Sequence, residues 1–293
     1  MIRRTKRNKK VSAIFCADMH LRESTPICRT DDFWKAQWSK VDEIKQMQRS
    51  FNCPVIHSGD LFDNWKASPY LLSETIKHLP EQFWTIYGNH DLPQHNLELA
   101  NKSGIYTLLA AGKLNLLPGC HWLETPCKED TFKIDGKKIL VWHIMAYQGK
   151  VFPGCTDKPA RSLIRKYTDF DVILTGHNHK SFVETFEDRI LVNPGSLTRQ
   201  KADQIEHRPK VYLWYAEDNS VEEVLLNYED NVISSEHLEK TKQRDDRIEA
   251  FINTLDSNWE RGMNFEKNLD QFLQLNPASP EVKVIINQSL DIN

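Results

Sequence analysis

No apolar run in this chain approaches the roughly 20 residues that a membrane-spanning helix requires, so a bilayer is not an expected partner. An excess of charge of one sign is missing as well. The net charge is −3 and the pI about 6.4, so the chain as a whole does not draw polyanions to itself. Contact with nucleic acid would have to come from a local patch or from bound cations. The six cysteines, Cys16, Cys28, Cys53, Cys120, Cys127 and Cys155, include no CxxC pair. They read as free thiols of a reducing compartment rather than as a disulfide framework. No apolar h-region follows the basic N-terminus, so no secretory signal is expected and the expected location is cytoplasmic. Internal repeats and low-complexity stretches are lacking outside that N-terminus.

What is present describes an ordinary globular protein. The 293 residues are 40% hydrophobic and 27% charged, enough for one large domain with or without a small appendage. Arg3, Arg4, Lys6, Arg7, Lys9 and Lys10 crowd the N-terminus. They suit either a solvated tail or a basic arm that grips a phosphate backbone.

Residues 11–16, 54–57, 83–87 and 172–175 read as buried strands. Phe33, Trp34, Trp38, Val41, Ile44 and Met47 share one side of a helix over 31–50, which Asp31 or Asp32 could cap. Further helices are expected over 69–79 and 95–111, the latter ending near Gly112. Residues 132–142 read as a hairpin with an Asp135-Gly136 turn, and two more hairpins turn near Glu187-Asp188 and Asp218-Asn219. Strand–helix alternation followed by hairpins predicts an α/β fold of two mixed sheets packed face to face, with helices outside. From about residue 230 the pattern is polar and helical. One amphipathic face carries Ile248, Phe251, Ile252, Leu255 and Trp259, and a second carries Phe265, Leu269, Phe272 and Leu273. The organisation expected is a basic tail over 1–10, a main domain over 11–228 and a mainly helical segment over 229–293.

The residues that carry chemistry fall on five short motifs: Asp18-x-His20, Gly59-Asp60, Gly88-Asn89-His90-Asp91, His143, and Gly176-His177-Asn178-His179. Asp18, Asp60 and Asn89 each come just after a strand, and polar residues delivered to the carboxyl ends of separate strands predict a site. Carboxylate and amide oxygens with imidazole suit divalent cations. Asp18, His20, Asp60 and His179 would hold one metal, and Asp60, Asn89, His143 and His177 the other, with Asp60 bridging. A water between two cations is acidified, and the resulting hydroxide would attack phosphorus in line. His90 directly follows Asn89 and cannot easily share its neighbour's metal, so it is assigned to substrate, as transition-state stabiliser or proton donor to the leaving oxygen. Asp91 would orient it. Gly59, Gly88 and Gly176 are expected to let the backbone turn sharply toward the metals. His143 rests on position and elimination, since a lone histidine is more often structural. His57, inside a strand, is expected to be packed rather than catalytic, and the eight tryptophans to serve packing rather than base stacking.

Over roughly residues 11–228 these motifs resemble the calcineurin-like metallophosphoesterase superfamily. The resemblance implies a four-layer α/β/β/α metallophosphoesterase sandwich with a dinuclear centre at one edge and a small C-terminal helical appendage. Within that superfamily the chain looks most like the SbcD-type DNA-repair exonuclease subunits of bacteria and phages. The features that carry this are Gly59-Asp60-Leu61-Phe62-Asp63, Gly88-Asn89-His90-Asp91 and Asn193-Pro194-Gly195-Ser196-Leu197. The last resembles the turn after the final histidine motif and is expected to touch the substrate backbone. Manganese activation is implied, with magnesium, iron, zinc or nickel as alternatives, in a bacterial cytoplasm or a phage-infected host. An SbcC-like ATPase partner could dock on the two C-terminal amphipathic faces, which could equally pack back on the sandwich, and a homodimer is also open. There are two departures. Asp63 stands where archaeal and eukaryotic relatives carry a histidine thought to contact DNA. A large DNA-capping domain is missing or reduced to about the last sixty residues.

Three functions compete: a metal-dependent DNA nuclease of exo- or endonuclease type, a phosphodiesterase of cyclic or dinucleotide substrates, and a catalytically dead scaffold. The metal centre does not separate the first two. An open, basic-edged cleft favours DNA and a lidded pocket favours a nucleotide, and the segment 146–160, with Gly149, Pro153 and Gly154, is a candidate rim. The scaffold reading is weakened because every predicted ligand is retained.

Overall fold

The computed structural model describes residues 9–122, 124–126, 132–149 and 158–236, with scattered positions beyond. The chain divides into two compact units, Met1–Ser235 and Glu236–Asn293. In chain order the first unit runs β1 (Ala13–Cys16), α1 (Phe33–Phe51), β2 (Val55–His57), α2 (Pro69–His78), β3 (Phe83–Thr85), α3 (Gly104–Ala110), β4 (Asn115–Leu116), β5 (Phe132–Ile134) and β6 (Lys137–His143). It continues with β7 (Ala146–Tyr147), β8 (Lys158–Pro159), α4 (Ala160–Lys166), β9 (Val172–Gly176), β10 (Phe182–Phe186), β11 (Arg189–Asn193), β12 (Lys210–Tyr215) and β13 (Ser220–Leu225). One six-stranded sheet is ordered β13-β12-β1-β2-β3-β4, a five-stranded sheet β10-β11-β9-β6-β5, and β7 pairs β8 alone.

The strand period of two explains the layers. In β1, Ala13 and Phe15 point into a core shared with Ile139, Val141, Val172 and Leu174 of the second sheet, while Ile14 and Cys16 face a separate core with Trp38, Val41 and Ile44 of α1. A third core packs Leu163 and Ile164 of α4 against Leu140, Ile173 and Leu191. Helix, sheet, sheet and helix therefore stack in four layers, as expected. Phe15 and Trp214 stack at 5.6 Å within the central core.

Local chemistry sets the element ends. Asp32 caps α1 by accepting from Lys35 N, and Asn52 ends the helix at φ +48. Ser68 caps α2, with Pro69 in its first turn. The Asp135-Gly136 turn takes positive φ at both residues, as a two-residue hairpin requires. The single helix expected over 95–111 is instead two 3-10 turns, Pro93–His95 and Leu97–Lys102, followed by α3. The reason is side-chain competition: Asn96 accepts from Glu98 N and Ser103 accepts from Tyr106 N, so each polar residue starts a new element.

After β13 the chain crosses back over the first unit. Thr30 N donates to Val232 O at 3.1 Å, Ser234 N donates to Cys28 O at 2.8 Å, and Arg29 bridges Ile233. Cys16, Cys28 and Cys53 are free thiols and, like Cys120, are buried, and burial pushes the Cys53 thiol up to about 12. Cys127 and Cys155, the basic residues Arg3 to Arg7, most of the 146–160 rim and the face Phe251 to Trp259 lie outside the described residues. Leu269, Phe272 and Leu273 of the second expected face are described and helical. Among the described residues no helix is long and apolar enough to cross a membrane.

The arrangement that positions the site is the alignment of strand ends. β1, β2 and β3 are parallel in one sheet, and β6 and β9 are parallel in the other. Their carboxyl ends lead directly into Asp18, Asp60, Asn89, His143 and His177.

Candidate metal centre

The structure brings all seven candidate ligand residues together at that edge. Asp18, His20 and His179 form one group, with donor atoms within 4.8 Å of one another, and Asp60, His143 and His177 form a second. Asp60 Oδ2 stands between them, 3.6 Å from His20 Nε2 and 3.3 Å from His143 Nε2. Asn89 joins the second group through its amide oxygen, 2.8 Å from His177 Nδ1 and 3.2 Å from His143 Nε2. His20 Nε2 and His179 Nε2 converge at 3.1 Å. The donor set fits a pair of divalent cations: imidazoles, carboxylates and a neutral amide oxygen, with one carboxylate oxygen reaching both halves.

The backbone is bent to make this possible. Asp18, His20, Asp60 and His177 all take left-handed φ, between +44 and +75. Each such residue costs on the order of 1–3 kcal/mol, and such strain clusters at functional sites. Of the three glycines, Gly59 has positive φ, as expected of a turn. Gly88 and Gly176 instead permit close approach. A methyl group on Gly88 would collide with the Asp60 carboxylate, and one on Gly176 would meet Ser58 O at 2.5 Å.

Burial and mutual charge shape the titration. Burial, with the Asp60 charge nearby, pushes the Asp18 carboxyl up to about 7. Burial would also raise Asp60, but His143 and His20 outweigh it and hold Asp60 well below the usual carboxylate range. Burial alone would lower His143, yet the Asp60 charge and hydrogen bond raise it to about 9. Burial lowers His179 to about 4, helped by the charge of Lys201. His143 Nδ1 lies 2.8 Å from the Ser58 carbonyl, which turns Nε2 toward Asp60 and Asn89.

His90 lies beside the first group, its ring edge-on to His20 at 4.7 Å and its amide donating to Asp60 Oδ1 at 2.9 Å. The group that orients its ring is not Asp91. His90 Nδ1 is 2.7 Å from the carbonyl of Asp63, and a carbonyl can only accept, so Nδ1 carries the hydrogen. Asp91 is fully buried and accepts from four backbone amides, those of Asp60, Leu61, Phe62 and Gly88. It ties the Gly59-Asp60 loop to the Gly88-Asn89 loop, so its role as an orienter of His90 is corrected to that of a backbone clamp.

Other side chains complete the surroundings of the two groups, and of these Arg22 and Trp122 were missed from sequence. Asp63 sends its carboxylate toward His20 Nδ1 at 3.9 Å and pairs with Arg22 at 3.0 Å. Its negative charge is thereby matched. Trp122 packs on the rings of His177 and His143, with centroids at 4.8 and 5.9 Å. His57 is packed in the core as expected, its Nδ1 2.9 Å from Thr85 Oγ1. The turn Asn193-Pro194-Gly195-Ser196 is buried, and its contacts are to the loops bearing Asp18 and His179 rather than to an open surface. No periodicity or spacing signals Arg22 or Trp122, because each meets its partner only through the fold.

Residues 12–213 match the calcineurin-like phosphoesterase superfamily domain, and the chain belongs to that superfamily. The superfamily is one of phosphoesterases, and the donor set described above fits the divalent cations that such a site would hold. It is 31% identical over 121 residues to a probable metallophosphoesterase of Methanocaldococcus jannaschii, a match covering 41% of this chain and 60% of that one. It is 28% identical over 157 residues to the DNA double-strand break repair protein Mre11 of Thermoplasma acidophilum, covering 50% of this chain and 38% of that one. The chain thus spans 60% and 38% of the lengths of these curated relatives. Among solved structures it is similar to an archaeal phosphodiesterase at 16% identity and a TM-score of 0.42, over 73% of this chain and 99% of that one.

Proposed function

We propose that the protein is a two-metal phosphodiesterase whose substrate is DNA, an SbcD-like nuclease, with manganese as its working metal. The observation that carries the two-metal reading is Asp60, whose Oδ2 lies within 3.6 Å of both His20 and His143. Two divalent cations at these groups would supply the charge that acidifies a water and neutralises the non-bridging oxygens of the phosphodiester. The remaining steps belong to the chain. His90 is held by Asp63 O at Nδ1, which leaves Nε2 for the substrate; in the protonated ring, that atom delivers a proton to the leaving oxygen. Asp60 fixes the His90 main chain through Oδ1, which leaves Oδ2, beside His143 Nε2, as the atom that would serve the metals.

DNA as substrate is supported by the similarity to an Mre11 protein over half of this chain and by the neutralisation of Asp63 by Arg22 beside His20. An SbcC-like ATPase docking on the C-terminal helices, self-association and a cytoplasmic location belong to the same proposal. The test is hydrolysis with manganese, comparing labelled single- and double-stranded DNA with bis-p-nitrophenyl phosphate and a cyclic dinucleotide. DNA cleavage that disappears in Asp60→Ala is expected. Cleavage of the small diesters alone would reassign the protein as a nucleotide phosphodiesterase, and no hydrolysis of any of them would favour a scaffold.

A further inference from the structure

We propose that Asn193 is a positioning residue for the first metal group, acting as a clamp on the backbone that carries His179. The proposal rests on the reading of Asp18, His20, Asp60 and His179 as ligands. Asn193 ends β11 and is wholly buried. Its Nδ2 donates to Asn178 O at 2.8 Å and to Lys180 O at 3.2 Å, the carbonyls on either side of His179. The carbonyl of His179 itself accepts from Ser196 N at 3.2 Å. Three successive carbonyls around one ligand are therefore taken by a single four-residue turn.

The same turn reaches the other sheet. Leu197 N donates to Asp18 O at 3.1 Å, and Ser196 bridges Ala17. Asp18 follows β1 and His179 follows β9, so two ligands of one metal group arrive from two sheets and are tied through one short segment. Gly195 makes the fit possible. Its φ is +76, and a methyl group there would stand 2.7 Å from His179 O and 2.9 Å from Ser181 N.

The side chain is committed to donation. Asn193 Oδ1 is buried with no partner among the described residues. Reversing the amide would set that oxygen against two carbonyls, so the orientation is fixed by chemistry. A buried acceptor left unpaired is a cost that the two donated bonds must offset. The second group is held mostly elsewhere: His143 by Ser58 O, the Asp60 and Asn89 loops by Asp91, and His177, which shares the His179 loop, by its own amide donating to the Asp18 carboxylate rather than by Asn193. Loss of the clamp should therefore fall on the first metal and spare the second.

The experiment is manganese titration by calorimetry, with electron paramagnetic resonance, on the full chain, comparing wild type with Asn193→Ala, Asn193→Asp and His179→Ala. Asn193→Asp keeps the shape but puts a carboxylate against the carbonyls, and Asn193→Ala removes the donor without adding charge. The expected result is about tenfold or greater weakening of one site in both Asn193 variants, with the other site unchanged. Thermal unfolding without metal checks that each variant is folded. Two unchanged sites in a folded Asn193→Ala, beside a lost site in His179→Ala, overturn the clamp alone. Equal weakening of both sites also overturns it, because that is what general loosening would do. Unchanged binding in His179→Ala overturns the ligand reading and the clamp with it.

Discussion

Asp18 and His143 are the residues at which protons and metal compete most directly. A cation needs the Asp18 carboxylate charged, yet burial holds its carboxyl at about 7, so below that pH the proton must be displaced. It needs His143 neutral, yet with Asp60 beside it that ring keeps its proton up to about 9. Both shifts have the same sign for binding: affinity rises with pH from 6 to 8, and binding releases protons. Calorimetric titrations in buffers of different ionisation enthalpy measure the release, and an affinity independent of pH over that window would refute this assignment. At His90, replacement by alanine is expected to leave both metals bound and to cut turnover about a hundredfold or more. Metal loss in that variant would instead make His90 a ligand. Asp91→Asn answers a different question. An amide has one acceptor oxygen where the carboxylate has two, and four backbone amides converge there. The expected outcome in urea denaturation of the metal-free protein is a loss of about 1–3 kcal/mol. Unchanged stability with an altered pH–rate profile would restore the role of orienting His90.

At the scale of elements, what was legible in the sequence is what local periodicity writes. β1, β2 and β9 were visible as short apolar runs, and α1 because Phe33, Trp34, Trp38, Val41, Ile44 and Met47 recur on one side of a helix. The hairpin at Asp135-Gly136 was visible because its turn residues tolerate positive φ. The stretch over 95–111 was not, because apolar spacing says nothing of when Asn96 and Ser103 will turn on the backbone and restart it. β4, β7 and β8 escaped notice because each has only two residues. The ligand residues could be listed from their motifs, but the left-handed backbone at His20 and the Ser58 carbonyl behind His143 depend on partners far along the chain. Gly88 supplies a test at this scale. An alanine there would drive its methyl into the Asp60 carboxylate, so Gly88→Ala is expected to weaken both metals together in a manganese titration. Wild-type affinity in that variant would mean that the Asp60 and Gly88 loops are not locked in the way described.

For the whole molecule, strand–helix alternation followed by hairpins foretold two sheets packed face to face, and the four-layer sandwich with its chemistry at one edge was what the resemblance of the five motifs implied. Net charge of −3 gives the chain no general attraction for a polyanion, so on the proposed reading affinity for DNA would rest on the metals and on the basic N-terminal residues, Arg22 being matched by Asp63. Removal of residues 1–10 is expected to weaken DNA binding and to reduce its dependence on salt. An identical salt slope would make that segment a tail.

On the proposed reading one carboxylate, Asp60, joins two metal groups into a single hydrolytic centre. The measurement that bears on it most directly is the manganese content of Asp60→Ala beside wild type, by elemental analysis of folded protein, together with hydrolysis of bis-p-nitrophenyl phosphate. The account predicts about two ions per wild-type chain, their release in the variant and loss of turnover. A variant that keeps both ions, or that loses one and still turns over, would contradict it.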